Sequence, residues 1–180
     1  MSGFSRTYGR YLASAATMHT DYPRHLAGFS YVGFQRYFLT FCTFSRQSIF
    51  VDSGAVDLVN EQFLRGADEQ AMQITAYCFM PDHVHMVTEA TSETTDLKQF
   101  IRRAKQFSGY HFARASGQRL WQRYGYERVL RDDEATKSVV KYALENPVRA
   151  GLVESVREYP FLGSPIYSRE ELIAFAYQSG

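Results

Sequence analysis

The segment between Gln73 and Glu89 constrains the fold more than any other part of the chain. Residues 73–80 and 83–89 are both rich in β-branched and aromatic residues, and only Pro81-Asp82 separates them. Such runs favour strands, and Pro-Asp favours a turn. Two short strands with so brief a connection pair as an antiparallel hairpin. The segment therefore predicts a β-hairpin on which the rest of the chain has to pack.

Five further segments predict the remaining elements from hydrophobic periodicity and end signals. In chain order they are a strand over Tyr37–Thr43, a helix over Ser53–Arg65, a helix capped by Thr94 or Thr95 and running to Ala115, a strand over Trp121–Leu130 with a bulge at Gly125, and a helix from the acidic residues 132–134 to Asn146. Pro147 is expected to end the last helix, because the residue before a proline avoids helical geometry.

The resulting order, β-α-β-β-α-β-α, predicts an α+β fold. Its first six elements match the ferredoxin-like pattern β-α-β-β-α-β, and the seventh is a helix packed on the antiparallel sheet. A chain of 180 residues suits one domain. We expect an irregular N-terminal arm over residues 1–24, the domain over 25–153, and a C-terminal tail over 154–180 with a short helix from Ser168 to Tyr177.

The charge of the chain is unevenly distributed. The net charge of +1 divides into +8 over residues 98–131 and −7 over the rest, and the basic window also holds seven aromatic residues. Cations and aromatic rings together suit a single-stranded nucleic acid, because Lys and Arg neutralise its phosphates and the rings stack on its bases. A solvated cationic helix explains the charge equally well. The candidate DNA-binding residues are Lys98, Arg102, Arg103, Lys105, Arg114, Arg119, Arg123 and Arg128.

Two other classes of protein are disfavoured by composition. The sequence has no run of 18 or more apolar residues, so no membrane span is expected. Its two cysteines, Cys42 and Cys78, lie in apolar stretches and are interpreted as buried thiols rather than a disulfide. We therefore expect a cytoplasmic protein.

His83 and His85 form the sharpest candidate site. Side chains alternate along a strand, so both imidazoles point to one face. At this spacing they could hold one divalent metal. The chain has only five histidines, so chance proximity is a weaker explanation, although a surface strand with two outward polar residues would show the same pattern. Structural zinc needs a third or fourth protein ligand, so we favour a hard metal with open positions.

Tyr142 and Asn146 form a second candidate pair. They are four residues apart on the last predicted helix and therefore share a face. Asn146 offers an amide oxygen to a metal, and Tyr142 would lie near a metal-bound phosphate. A phenol is an uncommon nucleophile, but a metal that polarises a phosphodiester makes it usable. The ordinary alternative is a packed tyrosine, one of 13, and an asparagine that stops a helix.

Several of these residues lie in segments that resemble a known family. Residues 77–85 resemble the two-histidine (HUH) motif of single-tyrosine transposases, and residues 142–153 resemble the catalytic helix of their REP-associated branch. Leu120–Tyr124 and Tyr159–Phe161 are also similar to that branch. The resemblance runs from about Arg24 to Ser164, so the predicted domain is identified as an HUH single-tyrosine transposase domain.

The resemblance implies an enzyme that cleaves and rejoins single-stranded DNA through a 5′-phosphotyrosine, with Mg²⁺ or Mn²⁺. Substrates of the REP-associated branch are hairpins of repeated extragenic palindromes. By position, Tyr142 is the nucleophile, His83 and His85 are metal ligands, and Asn146 stands where insertion-sequence relatives carry a glutamine ligand. The protein would associate with the nucleoid, as a monomer or a homodimer.

Two other functions stay open from the sequence. One is a hairpin-DNA-binding protein without cleavage activity, which the presence of Tyr142, His83 and His85 argues against. The other is a ferredoxin-like RNA-binding domain, whose sheet aromatics would stack bases. That function gives Tyr142 no role.

Overall fold

The computed structural model describes residues 29–131 and 133–178, and the arm predicted over residues 1–24 lies outside them. One antiparallel sheet carries helices on both faces. In chain order the elements are β1 (Arg36–Thr43), α1 (Ser53–Glu69), β2 (Met72–Met80), β3 (His83–Ala90), α2 (Leu97–Ser116), β4 (Trp121–Leu130), α3 (Asp133–Arg149), β5 (Leu162–Gly163) and α4 (Arg169–Tyr177). None of the helices in the described ranges has the length and apolar character needed to span a membrane.

The sheet has the strand order β4-β1-β3-β2-β5. The predicted hairpin of β2 and β3 is present, and its turn is Pro81-Asp82. The first four strands and α1 and α2 reproduce the ferredoxin-like pattern, which confirms the α+β prediction. β5 extends the sheet beside β2, where Leu162 pairs with Cys78.

Strand alternation divides the interior into two cores. Tyr37, Leu39 and Phe41 of β1 point to one face, where they pack beneath α1 and α2 in a core rich in aromatic rings. Phe38 points to the opposite face and joins a second core. That second core lies beneath α3 and α4. We call the two sides the α1/α2 face and the α3/α4 face.

The C-terminal tail packs on the α3/α4 face. The Tyr159 hydroxyl donates a hydrogen bond to the Phe79 carbonyl at 2.7 Å, and both groups are buried. Ser168 caps α4 through a reciprocal bond with Glu171, so the helix predicted from Ser168 to Tyr177 is confirmed. Leu172 adds an apolar contact to the second core.

The start of α2 differs from the prediction. Thr94 and Thr95 are not the cap, because Asp96 occupies that position and its carboxylate accepts a hydrogen bond from the Lys98 N–H at 2.8 Å. The Thr95 hydroxyl instead donates to the Ala71 carbonyl at 2.9 Å. A short acidic side chain satisfies a helix N-terminus as well as threonine does, and its charge also suits the helix dipole.

The end of α3 also differs from the prediction, since the helix continues through Pro147 to Arg149. The stop signal is Gly151, whose φ of 68° is left-handed. The Gly151 N–H bonds to the Val148 carbonyl and the Leu152 N–H to the Pro147 carbonyl, each at 2.9 Å. This is a Schellman cap. A proline is tolerated in this last turn. The helix therefore includes three residues beyond the predicted end at Asn146.

The bulge predicted at Gly125 is an irregularity in the pairing of β4 with β1, and it lies between Gly125 and Trp121. The register between β1 and β4 shifts between the pair Phe41–Gly125 and the pair Thr43–Trp121. A Cβ on Gly125 would lie 2.9 Å from Phe41 Cδ1 and 2.9 Å from the Thr40 carbonyl oxygen. Close approach of β1 therefore requires glycine at this position.

We expect Gly125→Ala to destabilise the protein by about 1–3 kcal/mol, the usual cost of overpacking a core. The measurement is the free energy of unfolding in denaturant. Gly109→Ala is the matched control, because its Cβ would meet only Trp121 Cδ1 at 3.6 Å, an ordinary contact, within a helix. It should leave stability unchanged or raise it by up to about 1 kcal/mol. Equal stability of the two variants would contradict the close approach.

Candidate active site

His83 and His85 meet on the α3/α4 face of the sheet. Their Nε2 atoms are 3.1 Å apart, and each residue is only 5% exposed. Val84 points to the α1/α2 face, as strand alternation predicts. The separation of the two nitrogens is short enough for both to bind one metal ion.

Hydrogen bonds at the other ring nitrogen orient each imidazole. His83 Nδ1 lies 2.7 Å from Asp82 Oδ1, and His85 Nδ1 lies 2.8 Å from Thr40 Oγ1. When each Nδ1 donates, both Nε2 lone pairs point towards the same space. A carboxylate or hydroxyl partner behind a histidine is the usual support of a metal ligand.

Asp82 is itself held in place from β1. Ser45 and Arg46 have φ values of 53° and 56° in the turn after this strand, and the Arg46 Nε donates to Asp82 Oδ2 at 2.9 Å. Burial alone would raise the pKa of Asp82, but the hydrogen bond from His83 and the charge of Arg46 lower it overall. The carboxyl group is therefore ionised and accepts hydrogen bonds from both partners.

Burial lowers the pKa of both imidazoles. For His83 the bond to Asp82 opposes this effect without cancelling it. For His85 the charges of Arg149 and Arg46 add to burial, so its pKa falls well below the ordinary value. Both rings are neutral near pH 7, which is the state that binds a metal.

Tyr142 of α3 lies beside this pair. Its ring centroid is 5.6 Å from that of His85 and 5.9 Å from that of Phe38, which stacks on His85 at 5.3 Å. The Arg149 guanidinium lies 4.3 Å from the centroid of the Tyr142 ring and also donates a hydrogen bond to the Tyr142 carbonyl. The additional turn of α3 beyond Asn146 is what brings Arg149 to the ring.

Asn146 lies one turn after Tyr142, as the spacing predicts. Its Nδ2 donates to the Tyr142 carbonyl at 2.9 Å, which leaves Oδ1 as the atom that can coordinate a metal. Within the described ranges, no group of three or more His, Cys, Asp and Glu side chains could hold an ion. Cys78 pairs with His85 across β2 and β3, but burial strongly raises the pKa of its thiol. The thiol is therefore protonated, as expected for a side chain in the apolar core.

This donor set fits a divalent ion with open positions. Two imidazoles, with Asn146 as the expected third ligand, are fewer protein ligands than the four that close a structural zinc site, and such a mixed nitrogen and oxygen set is compatible with Mn²⁺. The remaining positions would be available to phosphate oxygens or water.

Most of the predicted DNA-binding residues lie away from the histidines. Those on α2 lie across the sheet, on the α1/α2 face, and they are Lys98, Arg102, Arg103, Lys105 and Arg114. The Lys105 ammonium donates to the Gln122 and Arg123 carbonyls, and burial lowers its pKa to about 8. Arg119 lies over the Phe44 ring. Arg128, in contrast, pairs in register with Phe38 and points to the α3/α4 face.

Four residues of this site were not identified from the sequence. They are Thr40, Arg46, Asp82 and Arg149. Asp82 was interpreted only as a turn residue, although its position directly before His83 was a usable signal. The other three contact the site through strand register, a left-handed turn and a helix extension, and no local pattern in the sequence encodes those.

Residues 32–144 match the family described as Transposase IS200 like. The chain belongs to this family. The matched segment contains the histidine pair and Tyr142. Membership makes the protein a DNA transposase, an enzyme that acts on DNA, and so decides against the RNA-binding alternative.

Two curated relatives carry more specific names. A REP-associated tyrosine transposase of Haemophilus influenzae is 27% identical over 121 residues, which cover 58% of this chain and 68% of the relative. One of Escherichia coli K12 is 27% identical over 94 residues, 52% of this chain and 54% of the relative. The chain therefore matches about half the length of the second relative.

A solved structure has the same fold. It is a REP-associated tyrosine transposase bound to a REP hairpin, with a TM-score of 0.66 and 22% sequence identity. The match covers 79% of this chain and 81% of that one. This likeness confirms the architecture of the sheet and its helices.

We expect Asp82→Asn to weaken Mn²⁺ binding by about 10- to 100-fold, because losing a carboxylate behind a histidine ligand typically has this effect. Binding can be followed by calorimetric titration of the purified protein. Asp96→Asn is the control, since asparagine also caps a helix and Asp96 starts α2. Unchanged affinity in Asp82→Asn would show that the His83–Asp82 bond does not support a metal ligand.

Proposed function

We propose that this protein cleaves and rejoins single-stranded DNA beside hairpins of the repeated extragenic palindromic type, with Tyr142 as the nucleophile. The observation that carries the proposal is the position of the Tyr142 ring beside His85, whose Nε2 meets that of His83. The names of the two curated relatives and the hairpin bound in the similar structure support the substrate class.

The chemistry exchanges one phosphoester for another. Tyr142 Oη attacks the phosphorus, forms a 5′-phosphotyrosine and releases a 3′-OH, so the phenol loses a proton and the departing oxygen gains one. A 3′-OH later attacks the phosphotyrosine and releases Tyr142. The number of phosphoester bonds is unchanged, and the cycle needs no external energy source.

A bound Mg²⁺ or Mn²⁺, held by His83, His85 and Asn146 Oδ1, would polarise the scissile phosphate. Arg149 adds a fixed positive charge beside the nucleophile. Its guanidinium packs on the Tyr142 ring and also pairs with Glu145 at 3.4 Å. The packing restricts the ring, and the charge favours an approaching phosphate.

Tyr142→Phe should abolish strand cleavage and the covalent protein–DNA adduct while hairpin binding stays within about twofold, because only the phenolic oxygen is lost and the ring still packs. Cleavage and adduct are read on denaturing gels after incubation with Mn²⁺ and a single-stranded DNA that contains a hairpin of the repeated extragenic palindromic type.

Tyr110→Phe is the matched control, since Tyr110 is exposed on α2, which packs on the opposite face of the sheet from the histidines. It should still cleave. Cleavage by Tyr142→Phe would place the nucleophile elsewhere, and failure of the wild-type protein to cleave would favour a hairpin-binding protein without activity.

The role of Asn146 has a separate test. As a ligand, Asn146→Ala should raise the Mn²⁺ concentration needed for half-maximal cleavage, whereas Asn146→Asp should keep or lower it, because a carboxylate is a stronger donor to hard ions. Melting temperatures are measured alongside. A changed melting temperature with an unchanged metal requirement would make Asn146 a structural residue of α3 only.

A further inference from the structure

An exposed aromatic surface lies one strand away from the site. Tyr126 of β4 is 48% exposed, and Tyr124, two residues earlier, is 55% exposed. Side chains two apart on a strand share a face. In the strand order of the described residues β4 is at one end of the sheet, so its outer side has no neighbouring strand there.

Strand register places this surface in line with the histidines. Tyr126 pairs with Thr40, and Thr40 pairs with His85, so the three residues form one row across β4, β1 and β3. All three side chains therefore point to the α3/α4 face. Neighbouring strands are about 4.8 Å apart, so Tyr126 lies about 10 Å across the sheet from His85. Thr40, between them, is a small residue.

The neighbouring row adds positive charge. Arg128 pairs with Phe38, the ring that stacks on His85 and meets Tyr142 edge-on. The Arg123 guanidinium lies 5.3 Å from the centroid of the Tyr124 ring. The surface therefore offers rings for stacking and cations for phosphates, which is the combination that binds a single strand without regard to sequence.

We propose that Tyr126, with Tyr124 and Arg128, forms a stacking surface for the unpaired bases next to the cleaved phosphate. This inference rests on the proposed function and deepens it, since a strand whose phosphate reaches His85 continues over Thr40 onto Tyr126. The Tyr126 ring stacks on a base, and Arg128 binds the backbone on the same face.

A second copy of this chain is a less suitable occupant. An exposed strand edge can pair with another sheet, but that contact uses backbone groups and favours apolar or neutral side chains. Here the exposed positions of β4 include Arg123 and Arg128, so a symmetric pair of edges would bring four arginine side chains together. Charge complementarity favours an anionic strand.

Binding of a short oligothymidylate by the full-length protein tests the stacking surface. The reference ligand is an abasic sugar-phosphate strand of equal length, and both are measured by fluorescence anisotropy in EDTA. Tyr126→Ala should weaken oligothymidylate binding by about 5- to 150-fold, the range of base–aromatic stacking. It should leave binding of the abasic strand unchanged. Tyr126→Phe keeps the ring and should bind both strands like the wild-type protein.

Tyr110→Ala is the matched control, because Tyr110 is 56% exposed but lies on α2, which packs on the opposite face. It should bind both strands normally. Equal losses for the two strands in Tyr126→Ala, or a loss in Tyr126→Phe as large as in Tyr126→Ala, would overturn the proposal. A change of molecular mass by light scattering in Tyr126→Ala would assign the surface to self-association instead.

These outcomes are independent of the proposed chemistry. If the wild-type protein forms an adduct through Tyr142 but Tyr126→Ala binds normally, the stacking surface is wrong and the nuclease function stands. If oligothymidylate binding depends on Tyr126 and no adduct forms, the surface stands and the cleavage chemistry fails.

Discussion

The hydrogen bonds at Nδ1 of His83 and His85 are the interaction on which the rest of the site depends. One partner, Thr40, lies on β1, and the other, Asp82, lies in the hairpin turn and is held by Arg46. The Thr40–His85 bond and the Arg46–Asp82 ion pair require the observed register between β1 and β3. A slip of one residue would turn the histidines to the α1/α2 face. Each strand places successive apolar side chains in two different cores, and a slip would exchange them. Packing in the two cores therefore fixes the register that holds the two imidazoles in place.

The proposed nucleophile is held by a different set of contacts from the proposed metal ligands. Tyr142 belongs to α3, which packs over the sheet. Side chains near the C-terminal end of α3 and on α4 hold Tyr142 in place. Arg149 covers the ring, Glu145 pairs with Arg149, and the Tyr177 hydroxyl of α4 donates to Glu145 at 3.1 Å. The C-terminal tail is therefore connected to Tyr142 through two side chains, those of Glu145 and Arg149, and its packing contributes to where the phenol points.

Local features of the fold were predictable from the sequence, and long-range ones were not. The β2–β3 hairpin and the span of β4 follow from composition and turn signals, which act over a few residues. Pro147 misled the prediction because a proline is compatible with a last turn when Gly151 supplies the cap. Alternation and helical spacing found the histidine pair and Tyr142. Strand register brought Thr40 to them, and no residue near Thr40 indicates that contact. Arg149 lies two helical turns after Tyr142, and it was missed because the helix was predicted to end at Asn146.

The charge pattern was likewise predictable only in its local part. Nine basic residues between 98 and 131 predict a contact with nucleic acid, but the sequence does not say which side of the sheet each one faces. In the structure the basic residues of α2 lie on the α1/α2 face, and Arg128 of β4 points to the α3/α4 face. One sheet therefore separates two kinds of evolutionary constraint. Residues beneath α1 and α2 are constrained by core packing, whereas the exposed positions of β4 are not. Substitutions at those positions could change what this edge of the sheet binds while the core stays intact.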